Sequence, residues 1–289
     1  MTGHRAAALA VMVLGLAATA CSDSPLEYNH LTQAVETLKV AAIQYTDGSH
    51  TKVDPTCAQA ADGLKDACAI KKYIVDAKAQ GAVLFVTPED GVGQQYLEPD
   101  PEVGDLPATS TKWGDDELVK VFSQQALQHQ MHVVLHLQTY SGQNPNTKKY
   151  KAQLAFDPTG KIVAKHHKFE LYGAEANSLT PGTDVTVFDT PAGKVGLLIC
   201  ADMYGDLRLQ DKLVNQLEAR VVAVSSMWTV KGGWRWQAAF AKNWGVYVVG
   251  SQAALGPGVG GGIFDTEGKT LDLWESTEPH LTIASIPAP

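Results

Sequence analysis

The sequence has no excess of basic residues and no long run of lysine or arginine. It holds 23 Lys and Arg against 31 Asp and Glu, which gives a formal net charge of −8 and a pI near 5.6. A protein that neutralises phosphates or anionic lipid headgroups needs clustered positive charge. The sequence therefore predicts that the protein does not bind nucleic acid.

Internal repeats, low-complexity stretches and a recognisable second domain are also missing. With 289 residues, of which 45% are hydrophobic and 19% charged, the chain can bury one large core. A glycine-rich stretch at 256–262 lacks the strand–turn–helix context of a phosphate loop, so we interpret it as a flexible loop. No nucleotide or other cofactor is predicted.

The N-terminal segment has the pattern of an export signal. Its apolar stretch Ala6–Leu16 is too short to remain as a membrane-spanning helix. The following segment Ala18–Cys21 resembles a bacterial lipobox, in which the cysteine is lipidated, except that Ala18 stands where leucine is usual. Lipidation of Cys21 is the preferred interpretation, and ordinary cleavage nearby is the alternative.

This pattern predicts three parts of the chain. Residues 1–20 are a signal peptide of the lipoprotein type, residues 21–37 are a polar tether, and residues 38–289 are one domain. We expect the protein to be exported to the periplasm or the cell surface. There the N-terminal lipid anchor is expected to attach it to a membrane.

Cysteine is scarce, with four in the whole chain. Paired thiols of exported proteins tend to oxidise, and Cys57 and Cys68 flank a short polar segment that could close a small loop. We predict a disulfide between them, with two reduced, partly buried thiols as the alternative. Since Cys21 is assigned to lipid, Cys200 is left over, and such a cysteine is intermolecular, buried and inert, or reactive.

Apolar runs of strand length alternate with stretches of helical spacing, which predicts the α/β class. The predicted strands cover residues 39–45, 82–87, 132–139, 194–199, 220–226 and 246–250, with a hairpin around 157–161 and further strand signals at 270–286. The predicted helices cover residues 68–80, 115–129, 207–218 and 234–244.

Three predicted strands end in, or lead closely to, chemically reactive side chains, which are Glu89, Lys168 and Cys200. Ligands of open α/β sheets bind beyond the carboxyl ends of the strands, where loops diverge. We therefore expect these three side chains to share one pocket. Each residue type alone is more often a solvated turn, a surface charge or core packing.

The segments around these residues carry a family resemblance. They read FVTPEDG at 85–91, AKHHKFELYGAE at 164–175 and GKVGLLICAD at 193–202. In order and separation they resemble the nitrilase superfamily of carbon-nitrogen hydrolases. The TPEDG form, the His-His-Lys segment and SSMW at 225–228 are most similar to its biotinidase and vanin (pantetheinase) branch. The resemblance implies a four-layer αββα sandwich.

The resemblance also implies a role for each matched residue. Glu89 corresponds to the general base, Lys168 to the catalytic lysine and Cys200 to the nucleophile, while Glu175 matches a second carboxylate that holds the lysine and the substrate nitrogen. Amide chemistry suits these roles, because a carboxylate can take the thiol proton during attack. A fixed cation and the backbone N–H of Ala201 can stabilise the oxyanion. The acyl group then forms a thioester that water hydrolyses without a metal.

Other residues near these motifs have alternative interpretations. Glu170 lies in the same loop as Glu175, which makes the second carboxylate hard to assign. Asp202 is interpreted as structural, through bonds to neighbouring backbone. Trp228 is expected to line the acyl pocket, with plain core packing as the alternative. His166 and its neighbour lack the spaced third ligand of a zinc site, so no metal is predicted.

Three functions are consistent with these observations. The first, which the branch motifs favour, is hydrolysis of a linear secondary amide by an exported enzyme. The second is hydrolysis of a primary amide or nitrile, and the third is a lipid-anchored binding protein that has lost turnover. We expect no additional C-terminal domain like that of the biotinidase and vanin proteins, so their substrates are not transferred. The expected partners are a small amide and, as in many nitrilase-type proteins, further copies of the chain.

Overall fold

The computed structural model describes residues 36–61, 64–93, 97–142, 148–253 and 255–289. The predicted signal peptide at 1–20, the predicted lipidation site Cys21 and almost all of the tether lie outside these ranges. In the part of the chain that the structure describes, no helix is long and apolar enough to cross a membrane. The first strand begins at Thr37, one residue before the predicted start of the domain.

The described residues form a sheet of 13 strands. In chain order they are β1 Thr37–Gln44, β2 Ala82–Val86, β3 Leu97–Pro99, β4 His132–Ser141, β5 Lys148–Phe156, β6 Ile162–His167, β7 Val187–Thr190, β8 Gly193–Ile199, β9 Val221–Ser226, β10 Tyr247–Gln252, β11 Gly261–Phe264, β12 Thr270–Trp274 and β13 His280–Pro287. The longer strands confirm the predicted ones, whereas the short strands β3 and β7 were not predicted.

Helices lie between many of these strands. They are α1 His50–Val53, α2 Lys65–Ala79, α3 Leu118–His129, α4 Leu207–Asp211 and α5 Trp234–Trp244. The α/β class and the longer helices are confirmed.

The helix predicted for residues 207–218 is the exception among the longer helices. It is α-helical only to Asp211 and then widens into a π-helical turn, Lys212–Gln216. The wider turn brings the buried Leu213 directly over Gly196 of β8, where an added Cβ would lie 2.8 Å from the leucine side chain. Close packing against the sheet therefore overrides the regular helical spacing.

The hydrogen-bonded order of the main strands is β6-β5-β4-β2-β1-β10-β9-β8-β7. The central strands from β4 through β2, β1, β10 and β9 to β8 are parallel to one another. Two antiparallel pairings, β4 with β5 and β5 with β6, return β6 to the same direction. The carboxyl ends of β2, β6, β8 and β9 therefore meet at one edge of the sheet, together with the amino end of β5.

Three buried apolar clusters show how the layers stack. One cluster lies between α2, α3 and the β1-β2-β4-β5 half of the sheet, and another lies between α5, the π-helical turn and the β8-β9-β10 half. The third joins side chains from both halves. Successive residues of β1 alternate between clusters, with Ala41 and Ile43 toward the helices and Val40 and Ala42 toward the facing half. The expected αββα order is confirmed, with the two inner layers formed by one sheet that nearly closes on itself.

Part of the glycine-rich stretch is a strand. The interpretation of 256–262 as a flexible loop is wrong for Gly261 and Gly262, which begin β11 between β10 and β12. An added Cβ on Gly262 would lie 2.4 Å from the backbone oxygen of Asp272. Glycine is needed here because the strands approach closely, not because the backbone must be mobile.

The predicted disulfide is present. Cys57, in the turn Pro55–Gln59, is joined to Cys68 of α2, and their Cα atoms are 5.6 Å apart. This bond fastens the loop after β1 onto α2. Among the described cysteines, Cys200 is the free one, and it is buried.

Candidate active site

Glu89 lies in a tight turn immediately after β2, and bonds from two directions fix this turn. From the neighbouring β4, His136 N donates to Thr87 Oγ1 at 3.0 Å. From the facing half of the sheet, Ser225 Oγ donates to the carbonyl oxygen of Thr87 at 2.6 Å. Asp90 adopts a left-handed backbone with φ of 54°, and its N–H donates to Nδ1 of His136 at 2.9 Å. The turn that carries Glu89 is therefore held by strands from both halves.

Lys168 follows β6 directly, and its ammonium is buried at the same edge. Its Nζ lies 2.8 Å from Glu89 Oε1. It also contacts both carboxylate oxygens of Glu175, at 3.0 and 2.8 Å. The backbone of Gly182 packs so closely here that a Cβ would lie 2.1 Å from the carbonyl oxygen of His167. Of the two candidate carboxylates in this loop, Glu175 and not Glu170 is the one in contact with the lysine.

Cys200 directly follows β8 and begins a 3-10 turn, Cys200–Tyr204. Its φ is 47°, a left-handed conformation that costs a residue with a side chain about 1–2 kcal/mol. Strain of this kind persists only where surrounding contacts determine the backbone. One such contact comes from Asp202, whose carboxylate accepts from the N–H of Ile199, the residue before Cys200.

Asp202 is fully buried and accepts hydrogen bonds from two loops. Its Oδ2 accepts from Ile199 N at 2.9 Å and lies 2.8 Å from His166 Nε2. Its Oδ1 accepts from the backbone N–H groups of Phe169 and Glu170, at 3.0 and 2.8 Å. Asp202 thus ties the turn that carries the thiol to the loop that carries Lys168, which agrees with its structural interpretation.

The charges of the site set the resting protonation of its groups. Burial and the neighbouring Glu89 raise the pKa of the Cys200 thiol, and Lys168 only partly opposes them. Burial also favours a raised pKa for Glu89, but Lys168 and Lys151 outweigh it and lower that pKa to about 2. At neutral pH the site therefore holds a thiol beside a carboxylate. The thiol is within hydrogen-bonding reach of Glu89 and of the backbone N–H of Met227.

Ion pairs connect a buried charge cluster of five residues, which are Glu89, Asp90, Lys151, Lys168 and Glu175. Lys151 was not identified from the sequence. It lies in β5, its side chain is 4% exposed, and its Nζ contacts three carboxylates. The distances are 2.8 Å to Glu89 Oε1, 2.8 Å to Asp90 Oδ2 and 2.9 Å to Glu175 Oε1. Burial opposes its charge, but these carboxylates raise the pKa of Lys151 above its ordinary value. The ammonium therefore stays charged.

A cavity of about 420 Å³ is lined by Glu89, Lys151, Lys168, Glu175 and Cys200. Aromatic side chains form another part of its wall. Trp236 is central to that wall, with ring centroids 5.2 Å from Trp228 and 5.4 Å from Tyr204. Trp228 lies in the cavity lining, as the sequence suggested, while the fully buried side chain of Ala201 does not. Within the described ranges, no group of three or more His, Cys, Asp or Glu side chains is placed to hold a metal ion.

Residues 39–286 match the family model described as carbon-nitrogen hydrolase. The chain belongs to the carbon-nitrogen hydrolase family. The match covers every strand apart from the first two residues of β1 and the last residue of β13. It includes every member of the buried charge cluster.

Curated relatives of this chain include two mammalian enzymes. A biotinidase from Rattus norvegicus is 29% identical over 86% of this chain and 53% of its own length. A pantetheinase from Mus musculus is 31% identical over 45% of this chain and 30% of its own length. The chain therefore spans about half or less of the length of these relatives.

Solved structures of an amidase from Nesterenkonia sp. share the fold of this chain. One is 18% identical, covers 89% of this chain and 93% of its own, and has a TM-score of 0.68. A variant of that amidase, at a TM-score of 0.67 and 19% identity over 88% of this chain and 93% of its own, carries the acetamide moiety of fluoroacetamide at its active-site cysteine. At this identity the likeness establishes the fold alone.

The sequence does not single out Lys151, because this lysine comes shortly after two others and has the pattern of a solvated strand end. One signal could have found it. Strand alternation places Lys151 on the same face as Gln153, and both are buried in a strand that pairs on both sides. A buried lysine on that face needs acidic partners, and these come from residues 61 and 62 positions away in the chain.

Proposed function

We propose that this protein hydrolyses a linear carbon–nitrogen amide bond through a thioester on Cys200. Glu89 is the general base, and Lys168 is the cation that stabilises the oxyanion. One observation carries the proposal. A thiol, a carboxylate and an ammonium from the carboxyl ends of three strands converge in one cavity, with Lys168 Nζ 2.8 Å from Glu89 Oε1.

The first half of the reaction forms the thioester. Sγ of Cys200 attacks the amide carbon while its proton passes to Glu89, and the carbonyl oxygen becomes an oxyanion. Lys168 and the backbone N–H of Ala201 stabilise that negative charge, which they do well because the site is largely shielded from water. The carbon–nitrogen bond then breaks, and Glu89 returns its proton to the departing nitrogen.

The second half of the reaction hydrolyses the thioester. The released amine leaves, and a water molecule attacks the thioester carbon while Glu89 takes one of its protons. The carbon–sulfur bond breaks, the thiol of Cys200 regains a proton, and the carboxylic acid is released. Glu175 keeps the ammonium of Lys168 aimed at the reacting oxygen through two contacts, at 3.0 and 2.8 Å.

The lining of the cavity favours an uncharged substrate. Its charged lining residues are Glu89, Glu175, Lys151 and Lys168, and each is already in an ion pair with another. A carboxylate near the scissile bond would find no unpaired cation among the described residues of the lining, while the wall around Trp236 accepts an apolar group. We therefore propose an amide that is uncharged near its carbonyl group.

The cavity volume also bears on the size of the substrate. At about 420 Å³ it has room for substituents on both sides of an amide, which supports a secondary amide. The names of the biotinidase and pantetheinase relatives support the same branch. Hydrolysis of a primary amide or a nitrile is the alternative within the family.

Product analysis tests this proposal. The purified protein is incubated with matched primary and N-alkyl amides that carry the same acyl group, and acid, amine and ammonia are quantified. We expect an organic amine and the acid from the N-alkyl amides, and no turnover by Cys200→Ala. Release of ammonia alone from the panel contradicts the secondary-amide proposal, and equal turnover by Cys200→Ala contradicts the mechanism.

We also propose that the protein is exported and anchored through a lipid on Cys21. The disulfide between Cys57 and Cys68 supports export, because such bonds persist mainly outside the reducing cytosol. The test is cell fractionation of the full chain and of Cys21→Ala, with the mass of the mature N-terminus. Membrane association that is unchanged in Cys21→Ala contradicts the anchor.

A further inference from the structure

Lys151 is a buried charge in the cavity for which the proposed reaction has no step. Its Nζ contacts Glu89, Asp90 and Glu175 at 2.8, 2.8 and 2.9 Å, and the side chain is 4% exposed. Removing an ammonium from water is costly, so such a residue needs strong compensation. Here it receives three ion pairs, one of them with the general base.

The charge balance of the cluster depends on this lysine. Two buried ammonium groups, those of Lys151 and Lys168, face the three carboxylates of Glu89, Asp90 and Glu175. The buried His136 also faces Asp90, at 3.7 Å, and is uncharged at neutral pH because burial lowers its pKa to about 4. The cluster therefore carries one net negative charge while the thiol is protonated. Without Lys151, three carboxylates would share one cation. Like charges that close together in a dry site favour protonation of one of them.

We propose that Lys151 is a positioning residue, which keeps Glu89 ionised and holds its carboxylate beside the thiol of Cys200. The inference rests on the proposed function of Glu89 as general base. Glu89 Oε1 accepts from both lysines, at 2.8 Å from each Nζ, so two elements orient the same oxygen. These elements are β5 and the end of β6, which are neighbours in the sheet.

The physical consequence is a change in the pH range of the reaction. Burial favours a raised pKa for Glu89, and Lys168 and Lys151 together hold that pKa low. A single opposite charge at this distance lowers a carboxyl pKa by about 1–3 units. A protonated Glu89 cannot accept the proton of the thiol, so loss of Lys151 moves the acid limit of the reaction to higher pH.

The test compares Lys151→Met, which removes the charge at similar length, with Lys151→Arg, which keeps it. Two profiles are recorded from about pH 2, the pKa of Glu89, up to neutral pH. They are kcat/KM for an amide and the rate at which 2-chloroacetamide alkylates Cys200. Alkylation is measured from the intact mass of the protein, so the second profile does not require turnover of an amide. We expect the acid limb of both profiles to move up by about 1–3 pH units in Lys151→Met and to stay in place in Lys151→Arg.

Two further variants serve as controls for the shift of the acid limb. Asp90→Asn with Lys151→Met removes one carboxylate and one cation together, which keeps the net charge of the cluster and guards against misfolding. We expect its acid limb to move in the same direction. Glu89→Gln identifies the group that titrates, since the limb must be absent in that variant.

The outcomes separate the two proposals. An acid limb that stays at its wild-type position in both Lys151→Met and the double variant overturns the role of Lys151. If the wild-type protein hydrolyses no amide of the panel, the proposed function fails, and the alkylation profile still decides whether Lys151 controls the ionisation of Glu89.

Discussion

Lys168 Nζ lies 2.8 Å from Glu89 Oε1, and both side chains are 1% exposed. The two residues are 79 positions apart in the chain and meet because β6 and β2 end at the same edge of the sheet. A buried ion pair stabilises a fold little, since the desolvation of both charges offsets their attraction. Under the proposed function, the pair instead places a fixed cation where negative charge develops.

Replacing Lys168 by methionine removes that cation at nearly constant side-chain length. We expect Lys168→Met to lower kcat by about 10²-fold or more, as for the loss of one oxyanion-hole donor. The measurement is steady-state turnover of the best amide of the panel. Lys194→Met is the matched control, because Lys194 pairs with Glu218 on the surface and that pair contributes little. Near-normal turnover by Lys168→Met would refute the role of this lysine.

The ionisation of Glu89 links folding stability to pH. Its pKa is lowered from 4.5 to about 2 in the folded protein, because Lys168 and Lys151 outweigh the effect of burial. A lowered carboxyl pKa contributes stability that is present above the unfolded pKa and is lost as pH falls through the folded one. That contribution is on the order of 3 kcal/mol.

Urea unfolding of wild type and Glu89→Gln at several pH values checks this linkage. We expect the difference in free energy of unfolding to be largest above pH 4.5 and to narrow as pH falls toward 2, the range set by the two pKa values. Glu278→Gln is a surface control, for which no comparable narrowing is expected. A difference that stays constant over this range contradicts the assignment.

Asp202 supports the turn that carries Cys200. Its two oxygens accept from the N–H groups of Ile199, Phe169 and Glu170 and contact His166. Asp202→Asn replaces one acceptor by a donor, which leaves buried groups unsatisfied at about 1–3 kcal/mol each. We expect a loss of stability of about 2 kcal/mol or more, together with reduced turnover.

Asp206→Asn is the matched control for that change. Asp206 caps the exposed start of α4 by accepting from Arg208 N, and asparagine serves almost equally well at this position. We expect almost no change in urea unfolding. Equal effects of the two substitutions would show that the contacts of Asp202 are not needed for the fold.

Trp236 tests the aromatic wall of the cavity. Its side chain is 42% exposed, so Trp236→Ala is expected to fold. We expect kcat/KM to fall by about 10-fold for amides with a large apolar group, because one lost apolar contact is worth about 1–3 kcal/mol, and to change little for acetyl amides. Leu271→Ala removes an exposed apolar side chain outside the cavity and serves as control. A uniform fall across all amides would point to altered packing instead of substrate selection.

Much of this site could be predicted because its residues follow regular strands. Apolar runs that end at Glu89 and Cys200 place both at strand ends, and the topology of a parallel sheet then brings them to one edge. The disulfide between Cys57 and Cys68 followed from the expected compartment and the short loop.

Other features depend on contacts that are distant in the chain. The partners of Lys151 lie in the turn after β2 and in the loop after β6, so its local sequence carries no sign of them. The π-helical turn at 212–216 depends on the packing of Leu213 against Gly196. The strand at Gly261 depends on hydrogen bonding to two neighbouring strands. In each case tertiary packing outweighs local preference.

The most direct test of the central claim is the intact mass of the protein during turnover. A slowly hydrolysed amide is mixed with the protein, the reaction is quenched in acid, and the modified residue is located by peptide mapping. We expect the mass of the acyl group to appear on Cys200, to disappear as the acid product forms, and to be absent in Cys200→Ala. Turnover without any acyl group on Cys200, or the same adduct in Cys200→Ala, would contradict the thioester mechanism.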